Sequence, residues 1–163
     1  YFIFDFDGII KESVELKSIA YLKLFSQYES ALPLIKNHHL KNGGVNFYLS
    51  VPCKLLANMI KILEDDKTIY YSSVPREEEG IGICAGAYLG NKFPCLMMQN
   101  TGIGNSINAI VSLSQLYNIP IIFLISYRGT AGETVGAQSS MAKITEDILN
   151  TLKIPYLNCS SKN

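Results

Sequence analysis

Tryptophan is absent from the 163 residues, and histidine occurs only twice, as the adjacent pair His38 and His39. The four cysteines, Cys53, Cys84, Cys95 and Cys159, form no CxxC pair and mostly lie far from the histidines. A structural zinc site, which gathers closely spaced Cys and His ligands, is therefore not expected, and no metal ligand is assigned. Cys84 and Cys95 stand in apolar stretches and read as small core residues, so a reducing, cytoplasmic compartment is expected. Charged residues make up only 17% of the chain, 14 basic against 14 acidic, for a formal net charge of zero. That leaves no basic patch for nucleic acid and no polybasic run for an anionic membrane. Long apolar runs are missing too: a stretch such as Ile119 to Ile125 is far too short to span a bilayer. The opening YFIFDFDG carries Asp5 and Asp7 and has no basic flank, unlike a signal peptide. It lacks an initiator methionine, as a fragment would.

What is present has globular texture. Apolar residues are 48% of the chain, and its length suits a domain of ordinary size. Residues 2–6 read as a strand, 13–27 as a helix, and 28–42 as helical but broken near Pro33, with Asn42-Gly43-Gly44 as a stop. From Val45 the order is regular. VNFYLSVP is a strand ending at Pro52, and Leu55, Leu56, Met59, Ile60 and Leu63 lie on one face of a helix. A strand is expected over 68–74, a helix over 77–90, a strand over 93–100 and a helix over 105–117. A strand over 120–126, a polar loop over 127–138, a helix over 142–152 and a strand over 154–159 follow. FPCLMMQN and PIIFLIS are apolar without alternation, as in strands covered on both faces. Alternating strands and helices predict parallel pairing through right-handed crossovers, hence a three-layer, doubly wound, mostly parallel α/β domain over 46–163. The first 45 residues form an extra strand–helix segment.

Four places carry chemistry. Glu77, Glu78 and Glu79 stand at the start of a helix, where acidic residues complement the helix dipole. Yet that helix continues GIGICAGAYLG, a poor helix former, tolerated where its surface must closely approach a sheet or ligand. Asn100-Thr101-Gly102-Ile103-Gly104-Asn105 is a glycine turn at a strand–helix junction, either a chain reversal or a ligand loop. It is no Walker loop, because no GK[ST] follows, and Ile107 occupies the place of a dinucleotide fingerprint's third glycine. Cys53 follows Pro52 at a helix start, as a partly buried structural thiol or a ligand contact. Arg128 lies just past the strand PIIFLIS, at the end where α/β sheets bind ligands. It suits an oxyanion, or else pairs with Glu133 in the loop. Gln138 is a weaker candidate.

The motifs FYLSVPCKLL, REEEGIGICAGAYL, LMMQNTGIGNSINAIVSL and IPIIFLISYRGTAGE, with Gln138 shortly after, resemble in order and spacing the sulfopyruvate and phosphonopyruvate decarboxylases. The resemblance covers residues 46–157. In that thiamine-diphosphate-dependent family it implies the pyrimidine-binding (Pyr) domain, here taken as 46–163. Glu77 matches the family's cofactor-activating glutamate, which favours the imino tautomer of the aminopyrimidine so that the thiazolium C2 proton is lost. The resulting ylid adds to a 2-oxoacid, and the ring takes the electrons left by departing CO₂. Glu77, Gly102, Gly104 and Asn105 are then the expected cofactor-binding residues, with backbone N–H groups of the glycine turn facing the site. Cys53, Arg128 and Gln138 are the expected substrate residues. Cys53 fits the sulfopyruvate enzymes, whereas the phosphonopyruvate enzymes tend to carry an acidic residue after this proline. The family holds diphosphate and Mg²⁺ through a GDG…NN motif on a second (PP) domain, and this sequence contains no such motif. The resemblance thus implies a PP-domain β subunit, a hetero-oligomer, and active sites between the two.

Residues 1–45 resemble a truncated haloacid-dehalogenase-type phosphatase, with Asp5 and Asp7 matching its nucleophile and acid/base. The remaining motifs of that family have no room before Val45. Besides the decarboxylase subunit, two readings stand: a non-catalytic fusion remnant keeping the Pyr fold as an assembly module, and an Mg²⁺-dependent phosphatase using Asp5.

Overall fold

A computed structural model describes residues 45–156, apart from Thr68 and Ala131. Four strands, β1 (Phe47–Ser50), β2 (Tyr70–Ser73), β3 (Pro94–Gln99) and β4 (Ile122–Ser126), form one sheet in the order β2-β1-β3-β4. Every pairing is parallel, with Ser50 opposite Met97 and Gln99 opposite Ser126. Parallel neighbours need crossovers, and α1 (Ala57–Asp65), α2 (Glu77–Leu89) and α3 (Thr101–Ala109) supply them; α4 (Gly136–Thr151) follows β4.

The absence of alternation in β3 has its cause here, since both faces of the strand are covered. Cys95 and Met97 point into a core with Leu56, Leu63 and Leu124, on the α1 side. Leu96 and Met98 point the other way, into a core with Ile81, Cys84, Ala85, Ile103, Phe123 and Leu149, supplied by β4 and by α2, α3 and α4. Burying each such large side chain contributes about 1.5–3 kcal/mol. The expected three-layer doubly wound architecture is the one observed.

β1 lies between β2 and β3, so the chain winds outward in one direction to β2 and in the other to β4. Where the winding reverses, the loops leaving the carboxyl ends of β1 and β3 diverge to opposite faces and open a crevice. The residues there are Val51 to Cys53 after β1 and Asn100 to Gly102 after β3.

Two boundaries differ from expectation. α3 begins at Thr101, not 105, so the supposed glycine loop is the helix's first turn. α4 begins at Gly136, not 142, so the polar loop after β4 is shorter than 127–138. Tertiary contacts at these two helix starts outweigh the poor helix propensity of their glycines. α3 also widens into a π-helical stretch over Ile110–Gln115, where Leu116 N–H donates to the Val111 carbonyl at 3.2 Å. The expected elements over 2–6, 13–27 and 28–42, with Asp5 and Asp7, lie outside the described residues, as does the second half of the strand expected over 154–159; Ile154–Tyr156 are not in a strand. Among the described residues no helix is long and apolar enough to cross a membrane.

Candidate active site

Glu77 opens α2 and is only 7% exposed, although nothing in a carboxylate favours burial. It is enclosed because the first turns of α2 and α3 meet. Gly102 makes that approach possible: a Cβ there would stand 2.6 Å from Glu77 Cγ and 2.7 Å from Oε1. Asn105, one turn further along α3, donates from Nδ2 to Glu77 Oε2 at 3.2 Å. The carboxylate is thus held by the hydrogen bond from Asn105 and by close packing on the Gly102 backbone. Glu78 and Glu79 do something else. They turn outward to Arg76, whose Nη1 is 3.5 Å from Glu78 Oε1 and whose Nη2 is 2.7 Å from Glu79 Oε1, an exposed arrangement of small energetic weight. Gly104 does not touch Glu77; a Cβ there would make ordinary contact with Met141 Cε at 3.5 Å.

A second cluster forms on the α1 face of the sheet. Gln99 and Ser126, the last residues of β3 and β4, share the strand period that sends Met97 and Leu124 to this face. Cys53 joins them, its Sγ 3.4 Å from the buried Ser126 Oγ and 3.9 Å from Gln99 Oε1. The Arg128 guanidinium lies beside the same thiol. Arg128 Nε donates to Glu133 Oε2 at 2.7 Å, with the two side chains 23% and 10% exposed. That bond, with further hydrogen bonds from the backbone of Val135 and Thr134, holds the Glu133 carboxyl down at about 2.

Asn100 ties the two regions together. Fully buried, it accepts from Arg128 N–H at 3.0 Å and donates to the Arg128 carbonyl and to Thr145 Oγ1, both at 3.1 Å. The turn carrying Arg128 is thereby fixed to the residue just before α3. Gly129 completes the turn at φ +94°, with its α-carbon against the Gln138 carbonyl and Ala142. Gln138 therefore flanks Arg128 through its backbone, and its Oε1 is buried with no hydrogen-bond partner among the described residues. Among those residues no three His, Cys, Asp or Glu side chains converge as a metal-holding group.

No protein-family model matches the chain. It is 50% identical over 117 residues to the sulfopyruvate decarboxylase subunit alpha of Methanococcus maripaludis, spanning 72% of this chain and 70% of that protein. The subunit of the same name from Methanocaldococcus jannaschii is 47% identical over 116 residues, 71% of this chain and 69% of that protein. The chain belongs to the sulfopyruvate decarboxylase α-subunit family. A phosphonopyruvate decarboxylase from Streptomyces viridochromogenes is a more distant relative, 35% identical over 108 residues, 66% of this chain and 27% of that protein.

Within this decarboxylase family member, the structure gathers Glu77, Gly102 and Asn105 at one point, and Cys53 and Arg128 at another. No direct contact joins Gly104 or Gln138 to Glu77. The sequence reading gave no role to Gln99 or Ser126, and named Asn100 only as the first residue of the glycine turn. A signal for Gln99 and Ser126 existed: each is the polar residue that ends an otherwise apolar strand, at a parity that faces the helix after Pro52. Asn100 had no comparable signal, because its three partners come from residues 28 and 45 positions away.

Proposed function

We propose that this chain is the pyrimidine-binding subunit of a two-subunit, thiamine-diphosphate-dependent decarboxylase acting on sulfopyruvate, with residues 46–163 as its Pyr domain. The observation that carries the reading is the buried Glu77 carboxylate, spaced by Gly102 and braced by Asn105. A buried carboxylate packed on Gly102 and braced by Asn105 can share a proton with a ring nitrogen of a flat heterocycle, as an aminopyrimidine offers. When bound, thiamine diphosphate supplies the electron sink for loss of CO₂ from a 2-oxoacid.

The chain's own residues do the rest. Glu77 would hold the pyrimidine ring and would take up or release a proton at its carboxylate oxygens. Asn105 Nδ2 fixes the rotamer of that carboxylate. Gly102 keeps the space, and the first turn of α3 presents its amide end to the site. Cys53, Arg128 and Gln138 bind the anionic end of the substrate. Gly104, in the same first turn, completes the cofactor-binding turn. The second subunit brings a PP domain for the diphosphate and Mg²⁺; the name "subunit alpha" carried by the relatives supports that partner. The three described cysteines are free thiols, which fits a reducing, cytoplasmic compartment.

The test is CO₂ release from sulfopyruvate by the chain together with a PP-domain subunit, thiamine diphosphate and Mg²⁺. Glu77→Gln should lower turnover by about 10²–10⁴-fold, the usual range for a lost acid–base group. Wild-type rates in that variant would reject the assignment.

A further inference from the structure

The cluster of Cys53, Gln99, Ser126 and Arg128 has a charge balance that discriminates between substrates. Three of its members are uncharged. Ser126 is fully buried, and its described hydroxyl partner is a thiol at 3.4 Å, a weak hydrogen-bonding group that leaves donor capacity for a better acceptor. Arg128 is the one cation, and Glu133 already balances it from the Nε edge. Glu133 cannot readily swing away, because its other oxygen, Oε1, accepts the Val135 N–H at 3.1 Å and its own N–H donates to the Thr130 carbonyl at 3.0 Å. The groove running from Cys53 along α1 is lined by Lys54, Lys61, Glu64 and Asp65, two of each sign, so it adds no net charge.

We infer that Glu133 sets the specificity of this cluster, tuning it to an anionic tail of one negative charge, a sulfonate, and against a doubly charged phosphonate. The inference rests on the decarboxylase reading for the identity of the substrate. A sulfonate spreads one charge over three oxygens, which the Nη side of Arg128 and the neutral donors can share. A phosphonate near neutral pH carries close to two charges, and the second meets the fixed Glu133 carboxylate with no cation to offset it. One extra like-charge contact at this range, partly screened, weakens binding about tenfold or more. Glu133 acts through Arg128 and through charge, as a positioning residue that does not touch the reacting atoms.

The test uses the full chain, alone and with its PP-domain subunit, and reads alkylation of Cys53 by iodoacetamide through peptide mass spectrometry. Burial pushes the Cys84 thiol up to about 12 and the Cys95 thiol up as well, so neither competes for the reagent. The probes are 3-sulfopropanoate and 3-phosphonopropanoate, which lack the 2-oxo group. In the wild-type chain 3-sulfopropanoate should half-protect Cys53 at about a tenfold lower concentration. Glu133→Gln should close the gap, chiefly by improving protection by the phosphonate. Equal protection in the wild type, or an unchanged ratio in Glu133→Gln, would overturn the inference. A loosened loop would weaken both probes alike, so Ser126→Ala is the second variant. It should weaken both while keeping their ratio; no effect on either would remove Ser126 from the cluster and overturn the site as described. Glu77→Gln separates the two readings: it lowers CO₂ release by about 10²–10⁴-fold if the decarboxylase reading is right, and leaves the protection ratio intact if this one is.

Discussion

Gly102 shows how one absent methyl group shapes the site. Its α-carbon stands so near Glu77 that any side chain would push the carboxylate aside. Gly102→Ala should leave the fold standing, because alanine is a better helix former than glycine. Turnover should nevertheless fall on the order of 10²-fold, the scale set by displacing a catalytic group by about 1 Å. Circular dichroism and steady-state kinetics on the same preparation would check both halves; full activity would mean that the Glu77 carboxylate need not sit where it does. Glu77 itself was legible in the sequence, because an acidic cluster before a glycine-rich helix is an odd combination. Which of the three glutamates turns inward was settled by packing: only Glu77 falls where α2 meets α3, while its neighbours face solvent and Arg76.

The loop after β4 and the glycines of α2 follow opposite logic. The loop is held by a short, largely enclosed ion pair, and the Glu133 carboxyl sits near 2 against an ordinary value of 4.5. A depressed carboxyl contributes stability that is complete above about pH 4.5 and is lost as pH falls through about 2. The urea midpoint should therefore decline as pH is lowered from 5 to 3, and less steeply in Glu133→Gln; parallel declines would show that the pair is not what anchors the loop. In α2, by contrast, a Cβ at Gly82 or Gly86 would meet nothing within 4 Å. Helical glycine costs roughly 0.5–1 kcal/mol relative to alanine. Gly82→Ala and Gly86→Ala should each raise the stability of the isolated chain by about that amount, read from the same denaturation curves. A loss would reveal a contact within the chain that the geometry does not contain. The starts of α3 and α4 were misread from the sequence because their glycines look like loop. Gly102 and the Asn100 bonds hold the first start in place, and the turn at Gly129, packed against Gln138 and Ala142, holds the second.

At the scale of the whole molecule, the order of elements and the parallel sheet were readable from the sequence. Strand and helix periods are local properties of the chain, and short crossovers admit few topologies. Two fully apolar strands announced a sheet covered on both faces, and the cores on its two sides bear this out. By itself the sequence determined the doubly wound class, the four strands of the sheet, the approximate places of the helices between them and the acidic cluster at a helix start, because each depends on residues close together along the chain. Tertiary structure alone decided the rest. It selected Glu77 over Glu78 and Glu79, brought Gln99 and Ser126 to Cys53, and set Arg128 between Asn100 and Glu133. Those groupings join residues up to 73 positions apart, through strand order and register. The meeting of distant strand ends is a property of the folded sheet, and no local pattern encodes it.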